Sequence, residues 1–167
     1  FGGVFRLDFY TNEDIEKILK RSAGILRIGI EPEAIRVLAK AARFTPRVAN
    51  RLLKRVRDYA DVHGNGVINF DSTAKTLDLL EIDEEGLEPM DRRILEVIIK
   101  KFAGGPVGIQ SLAASSSEEE DTIEEVYEPY LMQLGFLERT PRGRMATERA
   151  YRHLGLQSPT TQKTLLD

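Results

Sequence analysis

The spacing of apolar residues predicts four helices in the first half of the chain. Residues 3–10 predict a short strand instead, because apolar and polar side chains alternate from Val4 to Phe9. Apolar side chains then recur every three or four positions in four segments: residues 11–27, 32–42, 46–63 and 71–80. Thr11 or Asn12 suits the N-cap of the first segment, and Thr45 followed by Pro46 suits the start of the third. Four short packed helices predict a small helical domain.

The pattern changes after an acidic connector at residues 81–88. The elements expected beyond it are a helix over 90–102, an extended piece at 106–109, a brief helix around Leu112, and a third helix over 123–134. We expect Asp121 and Thr122 to cap this third helix. Four of its side chains are expected to face inward: Val126, Tyr130, Leu131 and Leu134.

Residues 136–147 predict a β-hairpin. Pro141 suits the second position of its turn, and Gly143 tolerates the backbone angles that close it. Helix, short strand, two helices and a hairpin follow one another in the order of a winged helix, a variant of the helix-turn-helix. The predicted fold is therefore mainly α, a small helical bundle followed by a winged helix with a short hairpin wing.

Composition narrows the function classes. Apolar residues make up 41% of the 167 positions and charged residues 31%, which is ordinary for a soluble globular protein. Cysteine is absent and only two histidines occur, so we expect neither disulfides nor a metal site. No run of apolar residues is long enough to predict a membrane span, and an intracellular protein is the default interpretation. The net charge of −3 means that any DNA binding must come from a local patch.

The hairpin holds such a patch. Arg139, Arg142 and Arg144 crowd around its turn, and residues 139–152 contain five arginines against the single acid Glu148. A protruding basic turn suits a DNA phosphate backbone, because each neutralised phosphate releases condensed counterions. The alternative is an ordinary solvated turn. Arginines in this arrangement favour non-specific or structure-selective binding over reading of base sequence.

The third helix of the winged helix has the wrong charge for a DNA groove. Residues 118–128 hold seven acids and no base, so phosphates would repel this face. Pro129 removes a helical hydrogen bond and should kink the helix. We therefore expect this helix to be a scaffold or a protein-contact face, with the wing left to contact DNA.

Catalytic machinery is not visible in the sequence. No nucleophile–base pair, paired catalytic carboxylates or GxxxxGK[ST] loop occurs. Arg47 is a candidate phosphate ligand because it lies in the first turn of the third helix, beside exposed backbone N–H groups. The alternative is an ordinary surface arginine.

Several runs of residues resemble the RuvB family of bacterial Holliday-junction branch-migration motors. The runs are Thr-Pro-Arg at 45–47 with Asn-Arg-Leu-Leu at 50–53, Asp-Glu-Glu-Gly-Leu at 83–87, Gly-Gly-Pro-Val-Gly at 104–108, Glu-Val-Tyr-Glu-Pro-Tyr-Leu at 125–131, and Arg-Thr-Pro-Arg-Gly-Arg at 139–144. The resemblance extends from Phe1 to about Leu156.

The resemblance implies the C-terminal part of an AAA+ ATPase. Its parts would be the last strand of a large nucleotide domain at 1–10, a helical lid at 11–80, the connector at 81–88, a winged-helix DNA-binding domain at 89–156, and a disordered tail at 157–167. The first residue is Phe1, which suits a fragment, and the Walker motifs would lie upstream. No catalytic residue is expected in the fragment, which should be inactive alone.

The resemblance also implies roles for individual residues. Arg47 matches the sensor-2 arginine that reaches nucleotide phosphates, and Tyr10 matches a tyrosine on the adenine side. Arg139 and Arg144 match DNA-contacting wing positions, and Arg142 lies between them. ATP or ADP with Mg would bind the full-length protein and not stably bind the fragment.

The partners implied by the family are duplex DNA and the Holliday junction, RuvA, RuvC and further copies in a hexamer. The implied setting is cytoplasmic and nucleoid-associated, with a role in recombination and DNA repair and none at a membrane. Two positions depart from the family pattern: Phe44, where glycine is usual, and Glu120, where a basic residue is often found.

Two other functions fit the same residues. One is a non-enzymatic winged-helix DNA-binding regulator whose helical domain serves for dimerisation. The other is a winged helix that contacts proteins through its acidic third helix and has no DNA role.

Overall fold

The computed structural model describes residues 9–158. They fall into two compact units, the first ending at Glu88 and the second beginning at Pro89. Residues 1–8 and 159–167, which hold most of the predicted first strand and of the predicted tail, lie outside the described residues. The predicted fold class is confirmed, since a helical unit is followed by helices and a short antiparallel hairpin.

The first unit is a four-helix bundle. Its helices are α1 (Asn12–Leu26), α2 (Pro32–Ala41), α3 (Pro46–His63) and α4 (Phe70–Leu79). Two strands of two residues each, β1 (Gly29–Ile30) and β2 (Val67–Ile68), pair in parallel between them. The sequence did not predict these strands, because two residues are too few to show an alternating pattern.

Apolar stripes of the four helices meet in one core. Its largest fully buried side chains are Ile15, Leu19, Leu38, Leu52, Leu53 and Ile68. Burying a side chain of this size contributes about 1.5–3 kcal/mol, so helices of only 10 to 18 residues are held mainly by this packing.

The start of α1 is fixed by a capping box. The Thr11 hydroxyl accepts a hydrogen bond from the backbone N–H of Asp14, and the Asp14 carboxylate accepts one from the backbone N–H of Thr11. Of the two N-cap candidates, Thr11 is therefore the cap.

The chain enters α3 through two residues in the left-handed region. Arg43 has a φ of 53° and Phe44 a φ of 52°, a conformation that costs a non-glycine residue roughly 1–2 kcal/mol. This explains why glycine suits the position of Phe44. The entry to the helix is kept nevertheless, with Thr45 as N-cap residue and Pro46 in the first turn.

The acidic connector is folded onto the first unit. Glu85 accepts a hydrogen bond from Lys40 of α2 at 3.0 Å, and Glu88 lies 3.7 Å from Arg51 of α3. The Asp83 carboxylate accepts hydrogen bonds from the backbone N–H groups of Glu85 and Leu87. Residues 81–88 are thus an ordered turn held by these contacts.

The second unit has the order of a winged helix. Its elements are α5 (Pro89–Phe102), α6 (Ile109–Ser116), α7 (Glu120–Thr122), a π-helical turn (Ile123–Tyr127), α8 (Glu128–Gln133), β3 (Leu137–Thr140), β4 (Gly143–Ala146) and α9 (Glu148–His153). β3 and β4 form the antiparallel hairpin, with Leu137 opposite Ala146 and Thr140 opposite Gly143. The predicted extended piece pairs with the hairpin, because the backbones of Val107 and Arg144 exchange two hydrogen bonds of 2.9 Å.

The predicted third helix is interrupted, and we call residues 120–133 the interrupted helix. It starts at Glu120 with Glu119 as N-cap residue and has no side-chain cap, so the predicted cap at Asp121 and Thr122 was wrong. The irregularity expected from Pro129 takes the form of the π-helical turn that precedes it.

The π-helical turn also changes which side chains face inward. Val126 was predicted to be buried but is 51% exposed, whereas Ile123 is fully buried. A wider turn rotates the residues that follow it away from the positions that a regular period of 3.6 would give them. Tyr130 and Leu131 face the core as predicted, and Leu134 is partly buried.

Candidate functional site

Arg142 lies at the tip of the hairpin. Pro141 and Arg142 form the two-residue turn between β3 and β4, and the Arg142 backbone N–H donates to the Thr140 hydroxyl at 3.3 Å. Its side chain is exposed and makes no ion pair with any residue from 9 to 158. The turn of the hairpin therefore presents an exposed cation that has no ion-pair partner among these residues.

Arg139 is also exposed but has acidic neighbours. Its side chain is 56% exposed; its Nη2 donates to the Glu124 carboxylate at 3.4 Å, and its Nη1 lies 3.5 Å from Glu128. Both distances are long for charge-assisted hydrogen bonds. Arg139 is thus available to another anion without leaving a tightly bonded partner.

Arg144 is buried, unlike the other two arginines. Its side chain is 7% exposed and that of Glu128 is 2% exposed. Nε and Nη2 of Arg144 donate to Oε2 of Glu128 at 3.0 and 2.8 Å, and Nη2 also donates to Glu124. The phosphate contact expected of Arg144 is not available in this conformation, because the guanidinium is directed at the interrupted helix.

The protonation of Arg144 follows from these neighbours. Burial on its own lowers the pKa of the guanidinium, whereas the hydrogen bonds to Glu128 and Glu124 raise it. The hydrogen bonds outweigh burial, so the pKa of Arg144 is raised. We call Glu124, Glu128, Arg139 and Arg144 the charge quartet.

The two glutamates of the quartet were missed as site residues. Residues 118–128 were expected to form a scaffold or protein-contact face. Glu124 and Glu128 instead form ion pairs with arginines of the wing in the same unit. A signal was present, since carboxylates four residues apart share one face of a helix. Their partners lie 11 to 20 residues further along the chain, so spacing alone could not identify them.

A basic helix, α9, follows the wing and was also missed. Thr147 is its N-cap and accepts from the backbone N–H of Ala150, a signal that the sequence contained. Arg149 and Arg152 are exposed on this helix, and the Arg149 guanidinium carbon lies 4.8 Å from the centre of the Phe136 ring. This stacking orients one more cation on the second unit.

Arg47 lies in the first turn of α3 and is exposed. Its side chain makes no ion pair with another residue in the described range of 9–158. Thr45 occupies the N-cap position, but its hydroxyl donates to the carbonyl of Arg43 at 2.9 Å and accepts no hydrogen bond from the first turn of the helix. The N-terminus of α3 thus keeps uncapped N–H groups beside a cation, which is an arrangement that suits a phosphate.

The remaining predicted site residue, Tyr10, lies just before the N-cap of α1 and is 48% exposed. Among the residues that the structure describes, no three or more histidine or acidic side chains are grouped so that they could hold a metal ion. Within the same residues, the helices are too short or too polar to cross a membrane.

Two family models match the chain in succession. Residues 10–83 match the RuvB AAA lid domain, and residues 84–155 match the RuvB C-terminal winged helix domain. A relative from Dehalococcoides mccartyi (strain CBDB1), the Holliday junction branch migration complex subunit RuvB, is 57% identical over 156 residues. That alignment covers 93% of this chain and 45% of the relative.

Solved structures give the same result. The Thermotoga maritima RuvB Holliday junction branch migration motor superposes with a TM-score of 0.88 at 52% identity, over 92% of this chain and 51% of that one. A mutant of the same protein gives a TM-score of 0.91, over 95% of this chain and 53% of that one. The chain thus spans about half the length of these relatives. It belongs to the RuvB family, with the lid domain of that family followed by its winged helix.

Proposed function

We propose that this chain supplies the lid and the DNA-binding wing of an ATP-driven motor for Holliday-junction branch migration. The observation that supports this most strongly is the succession of two RuvB domains that together match residues 10–155. In the proposal, residues 11–80 act as the lid, 81–88 as the connector and 89–156 as the DNA-binding domain. Hydrolysis itself belongs to a large nucleotide domain, since this sequence has no Walker A loop.

The lid responds to nucleotide through Arg47. An exposed guanidinium beside the uncapped N-terminus of α3 fits a nucleotide phosphate. When bound, ATP with Mg would supply the phosphoryl-transfer chemistry, and Arg47 would bind a phosphate oxygen. Tyr10 would lie on the adenine side.

The wing holds duplex DNA through its phosphates. Arg142 at the tip and Arg139 on β3 are the exposed arginines of the hairpin, and they would bind the backbone without reading bases. Arg144 would fix the orientation of the hairpin through its hydrogen bonds to Glu128. In the intact motor, six copies would form a ring that acts on junctions with RuvA and RuvC in the bacterial cytoplasm, at the nucleoid.

The DNA part of the proposal is tested by fluorescence anisotropy of the 167-residue chain. A four-way junction, a plain duplex and a single strand are titrated at about 50 to 200 mM salt. We expect weak binding that requires a duplex and is reduced in Arg142→Ala and in Arg139→Ala. The slope of the logarithm of the binding constant against the logarithm of salt concentration should correspond to contacts with a few phosphates.

The matched control is Arg57→Ala. Arg57 lies on α3 of the first unit and pairs with its neighbour Asp58 at 2.6 Å, so the variant has the same loss of charge and leaves the sequence of the wing unchanged. Equal affinities for the wing variants and this control would overturn the DNA role of the wing. Strong preference for one base sequence would instead favour a winged-helix regulator.

A further inference from the structure

We infer that Glu124 restrains the wing by competing with DNA phosphate for Arg139. The inference rests on the proposed DNA binding by the wing and adds a residue that sets its strength. In the free protein, the carboxylate of Glu124 occupies Arg139; on binding, a phosphate takes its place. Glu124 is thus a positioning residue that lowers affinity for DNA.

The contacts within the charge quartet divide into strong and weak ones. Arg144 donates to Glu128 at 2.8 and 3.0 Å in a site where both side chains are almost fully buried. Arg139 is held only at 3.4 and 3.5 Å, and its side chain is 56% exposed. The pair with Glu124 is long and partly exposed, so it is weak, and the contact with the buried Glu128 is not a hydrogen bond. Arg139 is therefore the residue of the quartet that can exchange its partner.

The quartet stays intact when Arg139 leaves it. Glu124 retains the hydrogen bond from Arg144, and Glu128 retains both of its bonds from that residue. Oε1 of Glu128 is buried and accepts no hydrogen bond, and its contact with Nη1 of Arg139 is an ion pair of 3.5 Å. Arg139 can therefore turn to a phosphate without breaking the buried pair that fixes the hairpin.

Glu124 nevertheless opposes this exchange. Its carboxylate lies within 3.4 Å of the Arg139 guanidinium and is 38% exposed, so a phosphate bound to Arg139 would lie close to a second anion. Repulsion between two charges at a partly exposed site is moderate and is screened by salt. Removing the charge of Glu124 should therefore tighten binding, most of all at low salt.

The test is Glu124→Gln in the 167-residue chain, titrated against a short fluorescent duplex over a salt series. Gln has nearly the same shape and keeps an oxygen that can accept from Arg144, so the hairpin should stay in place, which a thermal melt checks. We expect affinity to rise about three- to tenfold at low salt and the gain to shrink as salt increases. Glu124→Ala should give a gain in the same direction.

Glu125→Gln is the matched control. Glu125 lies in the same turn and is exposed, and it makes no ion pair with any of the residues that the structure describes. The change in net charge is identical, so a larger gain in Glu124→Gln isolates the effect of position. The gain in affinity should disappear when Arg139→Ala is added, because the arginine for which Glu124 and phosphate compete is then missing.

Each outcome bears on a different statement. Equal affinities of Glu124→Gln and Glu125→Gln, or a gain that persists with Arg139→Ala, would overturn the inference and leave the DNA role of the wing standing. Weaker binding by Glu124→Gln would overturn it too, because Glu124 would then support the wing. Binding that ignores Arg139→Ala and Arg142→Ala would overturn the proposed function and the inference together.

Discussion

Three arginines within six residues of one hairpin have three different environments. Arg142 is exposed without an ion pair to a described residue, Arg139 is exposed beside carboxylates, and Arg144 is buried against Glu128. Residue type and spacing are nearly the same for all three, so their roles are set by the partner that each side chain meets. Substitutions at these positions should therefore affect different properties.

Arg144→Ala should mainly affect stability. It leaves the carboxylate of Glu128 buried without the guanidinium that compensates it, and breaking one side of a buried pair costs about 3–5 kcal/mol. Urea unfolding followed by a probe in the second unit measures the loss. Arg142→Ala is the control and should change stability by no more than about 0.5 kcal/mol; similar unfolding of the two variants would contradict the burial of Arg144.

Arg47→Ala should mainly affect nucleotide turnover. In a full-length protein that includes this chain, we expect ATP hydrolysis to fall about 100-fold, which is the order of loss when one hydrogen-bond donor to the developing charge is removed. The fold should persist, because the side chain is exposed. Arg55→Ala, at another exposed position of α3, should hydrolyse ATP normally; unchanged turnover in Arg47→Ala would remove Arg47 from the mechanism.

At the scale of elements, the hairpin depends on one glycine. Gly143 has a φ of 134°, and a Cβ at this position would overlap the backbone carbonyl of Val107. Gly143→Ala should therefore destabilise the second unit by about 3 kcal/mol or more, since backbone atoms cannot move aside cheaply. Thermal unfolding measures the loss. Gly108→Ala is the control, because nothing lies within 4 Å of a Cβ there, and comparable melting of the two variants would contradict the close approach.

The cap of α1 should make stability depend on pH. Asp14 accepts hydrogen bonds from the backbone N–H and the hydroxyl of Thr11, which lower its pKa below the ordinary value of 3.8. The folded state thus favours the carboxylate, so the stabilisation is present above that value and is lost as pH falls through the lowered pKa.

Asp14→Asn tests this prediction. The variant should be less stable than the natural chain near pH 7, and the difference should shrink as the pH falls below 3.8 and through the lowered pKa of Asp14. Urea midpoints at the two pH values measure it. Glu16→Gln, which removes a charge from the same helix outside the cap, should not reproduce the pattern, and a difference that persists in acid would contradict the capping argument.

At the scale of the molecule, a chain with a net charge of −3 is proposed to bind a polyanion. One copy offers only a few cations on its wing, so its affinity should be low and multivalency should raise it. Fusing the chain to a parallel two-stranded coiled coil should tighten duplex binding at least about tenfold. The same fusion with Arg142→Ala in both copies is the control. Binding by the unsubstituted fusion that is no tighter than binding by the single chain would contradict binding through the wing.

Local signals predicted much of the fold. The Thr45–Pro46 start of α3 and the turn at Pro141 depend on backbone preferences of single residues, and both were confirmed. β1 and β2 were not predicted, because each consists of two residues that pair with a strand far away in the sequence. Val126 was misplaced because the π-helical turn breaks the period on which the prediction relied.

The candidate site was harder to predict than the fold. The sequence identified the arginines of the wing as a group, because like charges cluster there, but it could not distinguish the buried Arg144 from the exposed Arg142. That distinction depends on Glu124 and Glu128, which fold back onto the hairpin from another element. The exposed position of Arg47 follows from its place in a first turn and was accessible from sequence.

The bridge between Val107 and Arg144 has a mechanical consequence. The backbone of Arg144 is tied to the strand segment before α6 by two hydrogen bonds of 2.9 Å, while its side chain is tied to Glu128. A force that pulls on the tip at Arg142 would load these attachments in parallel, so no single bond would bear it alone. Force on the hairpin tip would therefore be transmitted to the interrupted helix and to the strand segment before α6.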